Sequence, residues 1–183
     1  MKYCDIEHRD NLGSWLNEHG LIGSGAEIGC AFGGYARTVL SKWNGQVYFM
    51  VDPFIEQPKD VYKERTTGID FNQYYRDCQK LAEEDHRVRL IRKYSVEGAK
   101  DIEDGSLDWV FIDGNHSARA VLEDMDAWYP KVKSGGLFSG DDYGLDVNFP
   151  NFCEVKTAVD RWMAEREIVF TICRRPAWWA IKP

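Results

Sequence analysis

Gly25-Ala-Glu-Ile-Gly-Cys-Ala-Phe-Gly-Gly-Tyr-Ala36 is the stretch on which the fold turns. It joins a short apolar strand, over 26–29, to a helix through closely spaced small residues. Gly29 at the strand exit permits positive φ, while Ala31, Gly33 and Gly34 leave so little side chain that a ligand can lie against bare backbone at the helix N-terminus. A glycine-rich turn that binds nothing has the same local pattern, so the surrounding chain has to decide.

Outward from that turn the chain alternates helix and strand. Upstream, Leu12, Trp15, Leu16 and His19 fall at helical spacing and predict a capping helix within residues 1–23. Downstream, Tyr35, Val39, Leu40 and Trp43 mark one helical face, ended by Asn44-Gly45. Gln46-Val-Tyr-Phe-Met-Val-Asp52 is nearly all apolar and ends in a carboxylate, as a buried parallel strand does when its C-terminal end faces a ligand. Asp52 follows Gly29 by 23 residues and suits two readings: an acceptor for both hydroxyls of a ribose, or a turn former before Pro53. Phe71, Tyr74, Tyr75, Cys78, Leu81 and Ala82 predict a helix, followed by a strand at 88–94 and then Ser95-Val96. A strand from Leu107 ends in Asp113-Gly-Asn-His116, and a helix over 117–129 is stopped by Pro130. The next strand finishes Ser139-Gly-Asp-Asp-Tyr143; a helix over 154–164 and two strands at 168–173 and 178–181 close the chain. Residues 53–70 and 143–153 show no period and are expected as substrate-side loops.

The run Gly29-Cys-Ala-Phe-Gly-Gly34 has alanine where a dinucleotide turn of the form G-x-G-x-x-G needs its middle glycine. With Glu27 included it reads E-x-G-x-A-x-G, which resembles the first motif of class I S-adenosylmethionine-dependent methyltransferases. Asp113-Gly-Asn-His116, the following helix, Pro130 before Gly135-Gly136, and Gly140-Asp-Asp-Tyr143 resemble the fourth and fifth strands of the same family. Within it the likeness is greatest to small cation-dependent O-methyltransferases and to the sugar-directed and antibiotic-tailoring groups, over roughly residues 24–145. The resemblance implies a Rossmann-like, doubly wound α/β three-layer sandwich, one domain over 1–183. Its seven-stranded, mostly parallel sheet has the order 3-2-1-4-5-7-6, with the last strand antiparallel. It also implies S-adenosyl-L-methionine as cofactor. Glu27 supports the turn, and Gly29, Cys30, Ala31, Phe32, Gly33, Gly34 and Tyr35 make room for the methionine and ribose. Asp52 and Pro53 lie at the ribose, Ser95 and Val96 at the adenine, and Asp113 and His116 over the cofactor. A serine at 95 is equally a helix N-cap.

Neighbouring parallel strands lie about 4.8 Å apart, so acids at the tips of two of them can converge. Asp113, Asp141 and Asp142 are therefore candidate ligands for a hard cation such as Mg²⁺, Mn²⁺ or Ca²⁺. The cation-dependent relatives hold their metal with acids at these places, and it orients the substrate hydroxyls. The alternative places Asp113 on the cofactor's amino group and leaves the Asp141-Asp142 pair capping or solvated. Methyl transfer from a sulfonium is an in-line displacement, so the acceptor oxygen must be brought close and lose its proton. His116, three residues after Asp113 and with an unperturbed pKa of about 6.5, is the candidate base, with Asp113 as its partner. Catechol-type relatives carry lysine at the comparable place, and an imidazole that stacks on the cofactor or bonds to Asp141 fits as well. His8, His19 and His86 carry no functional expectation.

Composition narrows the partners. The 183 residues, 44% hydrophobic and 14% aromatic, suit one globular domain with a sizeable core. No run of about 18 apolar residues exists to cross a membrane. A net charge of −7 disfavours a nucleic-acid backbone, and the chain lacks a Pro-Pro pair and with it the motif that methylates exocyclic amines. Five scattered cysteines (Cys4, Cys30, Cys78, Cys153, Cys173) and an N-terminus without a basic and apolar leader read as a cytoplasmic protein with reduced thiols. The expected function is O-methylation of a small-molecule hydroxyl assisted by a divalent cation. A NAD(P)-dependent oxidoreductase and a cofactor-binding protein without transfer activity are the alternatives, and a homodimer is left open.

Overall fold

The central strands are apolar at nearly every position, and since successive side chains point to opposite faces, the fold follows from covering both. The computed structural model describes residues 5–57, 68–144, 154–174 and 177–183. Most of the two expected substrate-side loops, 58–67 and 145–153, lies outside the described residues, as do 1–4 of the capping segment. A 3-10 turn at Arg9–Asn11 leads into α1 (Leu12–Glu18), β1 (Ser24–Ile28), α2 (Gly34–Leu40), β2 (Val47–Val51), α3 (Phe71–Glu84) and β3 (Val88–Ile91). Then come α4 (Ser95–Ala99), β4 (Leu107–Ile112), α5 (Ala118–Trp128), β5 (Val132–Gly140), α6 (Val155–Glu165), β6 (Thr171–Ile172) and β7 (Trp178–Ile181).

The strands form one sheet in the order β3-β2-β1-β4-β5-β7-β6. The first five are parallel, and β7 runs antiparallel to both β5 and β6. This is the architecture expected from the sequence. Strand β4, Leu-Asp-Trp-Val-Phe-Ile, is buried at every position. Trp109 and Phe111 enter one core with α1, α2 and α3, and Val110 and Ile112 enter a second core with α5 and α6. Six of the seven tryptophans are essentially fully buried in these two layers. Each contributes on the order of 2–3 kcal/mol of apolar burial. Their indole N–H groups are satisfied locally where partners are within reach: Trp43 donates to the Leu21 carbonyl (2.8 Å) and Trp162 to Asp126 (2.7 Å).

At the opposite edge of the sheet from the site, buried Asp108 accepts from the Gly23 amide and pairs with Lys133, tying the starts of β1 and β5 to β4. Element ends differ from the sequence expectation where hydrogen bonding stops early. Helix α2 ends at Leu40 although the Trp43 amide still reaches the Val39 carbonyl (2.8 Å), and β6 is ordered as strand only where it pairs with β7. Among the described residues no helix is long and apolar enough to cross a membrane.

Candidate active site

Parallel strands deliver their last residues to one edge, and here those residues are the loop after β1, Asp52 after β2, Asp113 after β4 and Asp141-Asp142 after β5. Gly29 sits where the chain leaves β1 at φ 85°, its amide donating to the Val51 carbonyl (2.9 Å). A Cβ there would stand 2.0 Å from the Asp113 carbonyl oxygen, so the turn after β4 can pass over β1 only because residue 29 is glycine. Asp52 forms the turn the sequence allowed and also braces the β1–α2 loop. Its Oδ1 accepts from the Phe54 amide (2.7 Å) and forms the turn, while its Oδ2 accepts from the Cys30 and Ala31 amides (2.9 and 3.2 Å) and fixes the β1–α2 loop. Burial pushes its carboxyl above the usual carboxylate range, and the three amides oppose that shift.

Along this edge runs a cleft of about 480 Å³. Of the expected cofactor residues, Gly29, Ala31, Asp52, Pro53, Ser95, Val96 and Asp113 line it. Glu27, Cys30, Phe32, Gly33, Gly34, Tyr35 and His116 are not among its walls, because the tight turn directs them elsewhere. Glu27 lies beneath the loop, fully buried, accepting from the Tyr48 hydroxyl (2.7 Å), and burial raises its carboxyl to about 8. The Cys30 thiol donates to the Glu27 and Val51 carbonyls, and Gly33 faces Cys78, Met50 and Leu81. Tyr35 points toward the N-terminal segment: its hydroxyl donates to the Arg9 carbonyl (3.0 Å) and the Arg9 guanidinium sits 4.9 Å from its ring centre. Phe32 projects outward, half exposed, with its ring 5.7 Å from that of Tyr74. Ser95 begins α4 and does not cap it, since Tyr94 holds the N-cap position. Its hydroxyl oxygen instead accepts from the Trp128 indole (2.9 Å).

The acids at the strand tips are partitioned differently from the expected trio. Asp113, His116 and Asp142 each present a ligand atom, and these atoms lie within 4.8 Å of one another. His116 Nε2 is 3.1 Å from Asp142 Oδ2 and 3.7 Å from Asp113 Oδ1. Asp142 reaches this position through a left-handed backbone at φ 60°, which turns its carboxylate away from that of its neighbour. Asp141, buried, is paired with Arg9, whose guanidinium also lies 3.6 Å from Asp113. Asp141 therefore faces a cation supplied by the chain itself, and His116 takes its place beside the other two acids. The His116 turn is held from outside: the Glu154 amide donates to the His116 carbonyl (2.7 Å), and the Glu154 carboxylate accepts from the Ala118 amide (3.0 Å).

Sequence reasoning passed over Arg9, which belongs to no motif, and Asp124, which sits inside a helix whose apolar positions carry its pattern. Asp124 in fact lines the cleft, 5% exposed, with its carboxyl raised to about 7 by burial. Phe71 and Tyr74, legible only as the apolar face of α3, also form part of the wall.

The sheet order and a cleft shared by the tips of β1, β2 and β4 are the Rossmann-like arrangement expected of a class I methyltransferase. A family model described as "Methyltransferase domain" matches residues 26–143, more than half of the chain, and the chain belongs to that family. No curated protein sequence is significantly similar. Among solved structures, the chain is similar to a putative caffeoyl-CoA O-methyltransferase from Staphylococcus aureus (TM-score 0.69, 15% identity, covering 100% of this chain and 86% of that one). It is similar also to the O-methyltransferase NovP (TM-score 0.62, 20% identity, 96% and 78%). A third likeness is to the S-adenosylhomocysteine-bound methyltransferase PaMTH1 of Podospora anserina (TM-score 0.63, 15% identity, 94% and 78%). At these identities the likeness is one of fold, and the transferase assignment comes from the family. The chain is an S-adenosylmethionine-dependent methyltransferase, and the oxidoreductase alternative is set aside.

Proposed function

We propose that the chain transfers the methyl group of S-adenosylmethionine to an oxygen of a small molecule, with a divalent cation held by Asp113, His116 and Asp142. The observation that carries this reading is the convergence of those three donors within 4.8 Å at the tips of β4 and β5, with Asp113 also lining the cofactor cleft. The donor set fits a cation. One imidazole with two carboxylates suits Mn²⁺ or another transition ion better than Mg²⁺ or Ca²⁺, which prefer oxygen alone. When bound, the cation would orient an acceptor hydroxyl and make it more acidic.

The chain's own groups do the remaining work. Asp52, immobilised by three amides, offers its one remaining lone-pair site, on Oδ1, to a ribose hydroxyl and so sets how far the sulfonium reaches along the cleft. Arg9 offsets the charge of Asp141 and Asp113 and keeps Asp141 away from the donors. The close His116–Asp142 pair favours a second reading, in which no cation takes part and the imidazole accepts the acceptor's proton while Asp142 stabilises the resulting charge. A net charge of −7 supports a small acceptor over a nucleic acid, and the buried cysteines Cys30 and Cys78, neither in a disulfide, support a reducing, cytoplasmic setting.

The test is turnover, read as S-adenosylhomocysteine release over a panel of hydroxylated small molecules, with and without EDTA. The cation reading predicts loss of activity in EDTA, recovery on adding Mn²⁺, and the same loss in Asp142→Asn. Full activity in EDTA would remove the cation and leave His116 as the base. Turnover confined to amine or thiol acceptors would overturn O-methylation.

A further inference from the structure

We propose that Tyr143, tethered by Asp160 and Lys156 of α6, is a positioning residue that holds the Asp142 carboxylate against His116. The inference rests on the reading of Asp113, His116 and Asp142 as a cation site. The sheet carries the chain as far as Asp141, whose amide donates to the Ile112 carbonyl (2.9 Å), and Asp142 then turns through a left-handed backbone at φ 60°. That conformation is unfavourable for a residue with a Cβ and persists where its neighbours hold it. The neighbour that leaves the turn is Tyr143.

Tyr143 is 8% exposed and is fixed along its whole side chain. Its ring packs edge-on against Phe170 (5.5 Å between centres), with the Lys156 ammonium 5.1 Å from the ring centre. Its hydroxyl donates to Asp160 Oδ1 (2.5 Å) and accepts from Lys156 (3.3 Å), while Lys156 pairs with Asp160 Oδ2 one turn along the helix. Burial, and after it the hydrogen bond to Asp160, push the hydroxyl above its usual range and keep it a donor. The helix that supplies these partners is itself immobile: Val155, Val159 and Trp162 are buried in the second core, and the Trp162 indole is bound to Asp126 of α5 (2.7 Å). The same helix braces His116, because Glu154, at its N-cap position, donates its amide to the His116 carbonyl (2.7 Å). Helix α6 thus sets both members of the His116–Asp142 pair, the imidazole through Glu154 and the carboxylate through Tyr143, although none of the three donors lies on it. Were Tyr143 only a piece of the core, its ring would be what matters; a positioning role assigns the effect to its hydroxyl.

The experiment measures Mn²⁺ binding to the full chain by electron paramagnetic resonance of the free ion, alongside S-adenosylhomocysteine binding by isothermal titration. Tyr143→Phe keeps the ring and removes the hydroxyl; Asp160→Ala removes the acceptor from a half-exposed position and carries the test should the first variant not fold. Each is predicted to weaken Mn²⁺ binding about tenfold, the order of loss when a group that orients a metal ligand is removed. S-adenosylhomocysteine affinity is predicted to stay within about twofold, since neither residue lines the cofactor cleft. The double variant is predicted to lose no more than either single one, because both break the same tether. Asp160→Asn, which retains an acceptor oxygen, is predicted to stay within about threefold of the wild-type chain. Unchanged Mn²⁺ affinity in either folded single variant, losses that multiply in the double variant, an Asp160→Asn as weak as Asp160→Ala, or S-adenosylhomocysteine affinity falling in step with Mn²⁺ overturns the positioning role alone. A wild-type chain that binds no Mn²⁺ overturns the cation site and this inference with it.

Discussion

Arg9 changes the meaning of the Asp-Asp pair after β5. From outside every recognisable motif it enters the acid cluster, pairs with Asp141 and approaches Asp113, so the two neighbouring aspartates have different partners. Asp52, Asp113, His116 and Asp142 were legible because a strand tip has a defined direction and residues there meet. Which of two adjacent acids faces a ligand depends on one backbone angle, φ 60° at Asp142, and no residue pattern encodes it. Glu27 was legible as a loop support, and its environment has a measurable consequence. Its carboxyl, ordinarily at 4.5, is raised to about 8 chiefly by burial. Between those values the folded chain holds a proton that the unfolded chain has released, so stability falls as pH rises through that window; Asp124, raised from 3.8 to about 7, adds a loss of the same sign. Glu27→Gln keeps an acceptor for Tyr48 and removes the titration. It is predicted to stabilise the fold by about 2 kcal/mol at pH 8 and to flatten the decline from pH 5 upward, read by thermal unfolding across that range. A variant no more stable than wild type at pH 8 would show that Glu27 is ionised at no cost in the folded chain.

At the level of elements, the junction of β1 with α2 is where packing and ligand binding share one residue. The sequence motif reads Gly29 as room for a cofactor; the geometry adds that the turn after β4 occupies the space a side chain would need. Gly29→Ala must both hold φ 85° and displace the Asp113 backbone, so it is predicted to cost about 3 kcal/mol or more and to weaken S-adenosylhomocysteine binding by moving the tip of β4. Gly33→Ala shares the unfavourable φ, 78°, but meets only side chains, none nearer than 3.3 Å, and is predicted to lose less stability and to keep Asp113 in place. Chemical denaturation of the two variants side by side separates these effects, and equal losses would contradict the backbone argument. Element identities were readable from the chain because β4 is apolar at every position but Asp108 and α3 and α5 keep a helical period. Their ends were less so: the end of α2 at Leu40 and the shortness of β6 depend on which backbone groups find partners, which is a tertiary matter.

Across the whole molecule, two cores of alternating side chains hold the sheet rigid and leave its C-terminal edge to chemistry. Tryptophans fill both layers, and the carboxylate of Asp108 closes the far edge, so every strand tip with an acid is carried by a strand buried on both faces. That arrangement made the fold legible from a handful of motifs, whereas the acceptor's shape depends on walls that no periodicity describes. In the proposed arrangement the tips of β2, β4 and β5 surround one adenosyl cofactor and one cation. This arrangement is tested most directly by a crystal structure grown with S-adenosylhomocysteine and Mn²⁺, with the ion located by its anomalous scattering. The predicted result is an adenosyl group beside Asp52 and a manganese peak bound by Asp113, His116 and Asp142, with Arg9 still on Asp141. A cofactor-loaded site with no anomalous peak at saturating Mn²⁺, or an ion on Asp141 with Arg9 displaced, would contradict it.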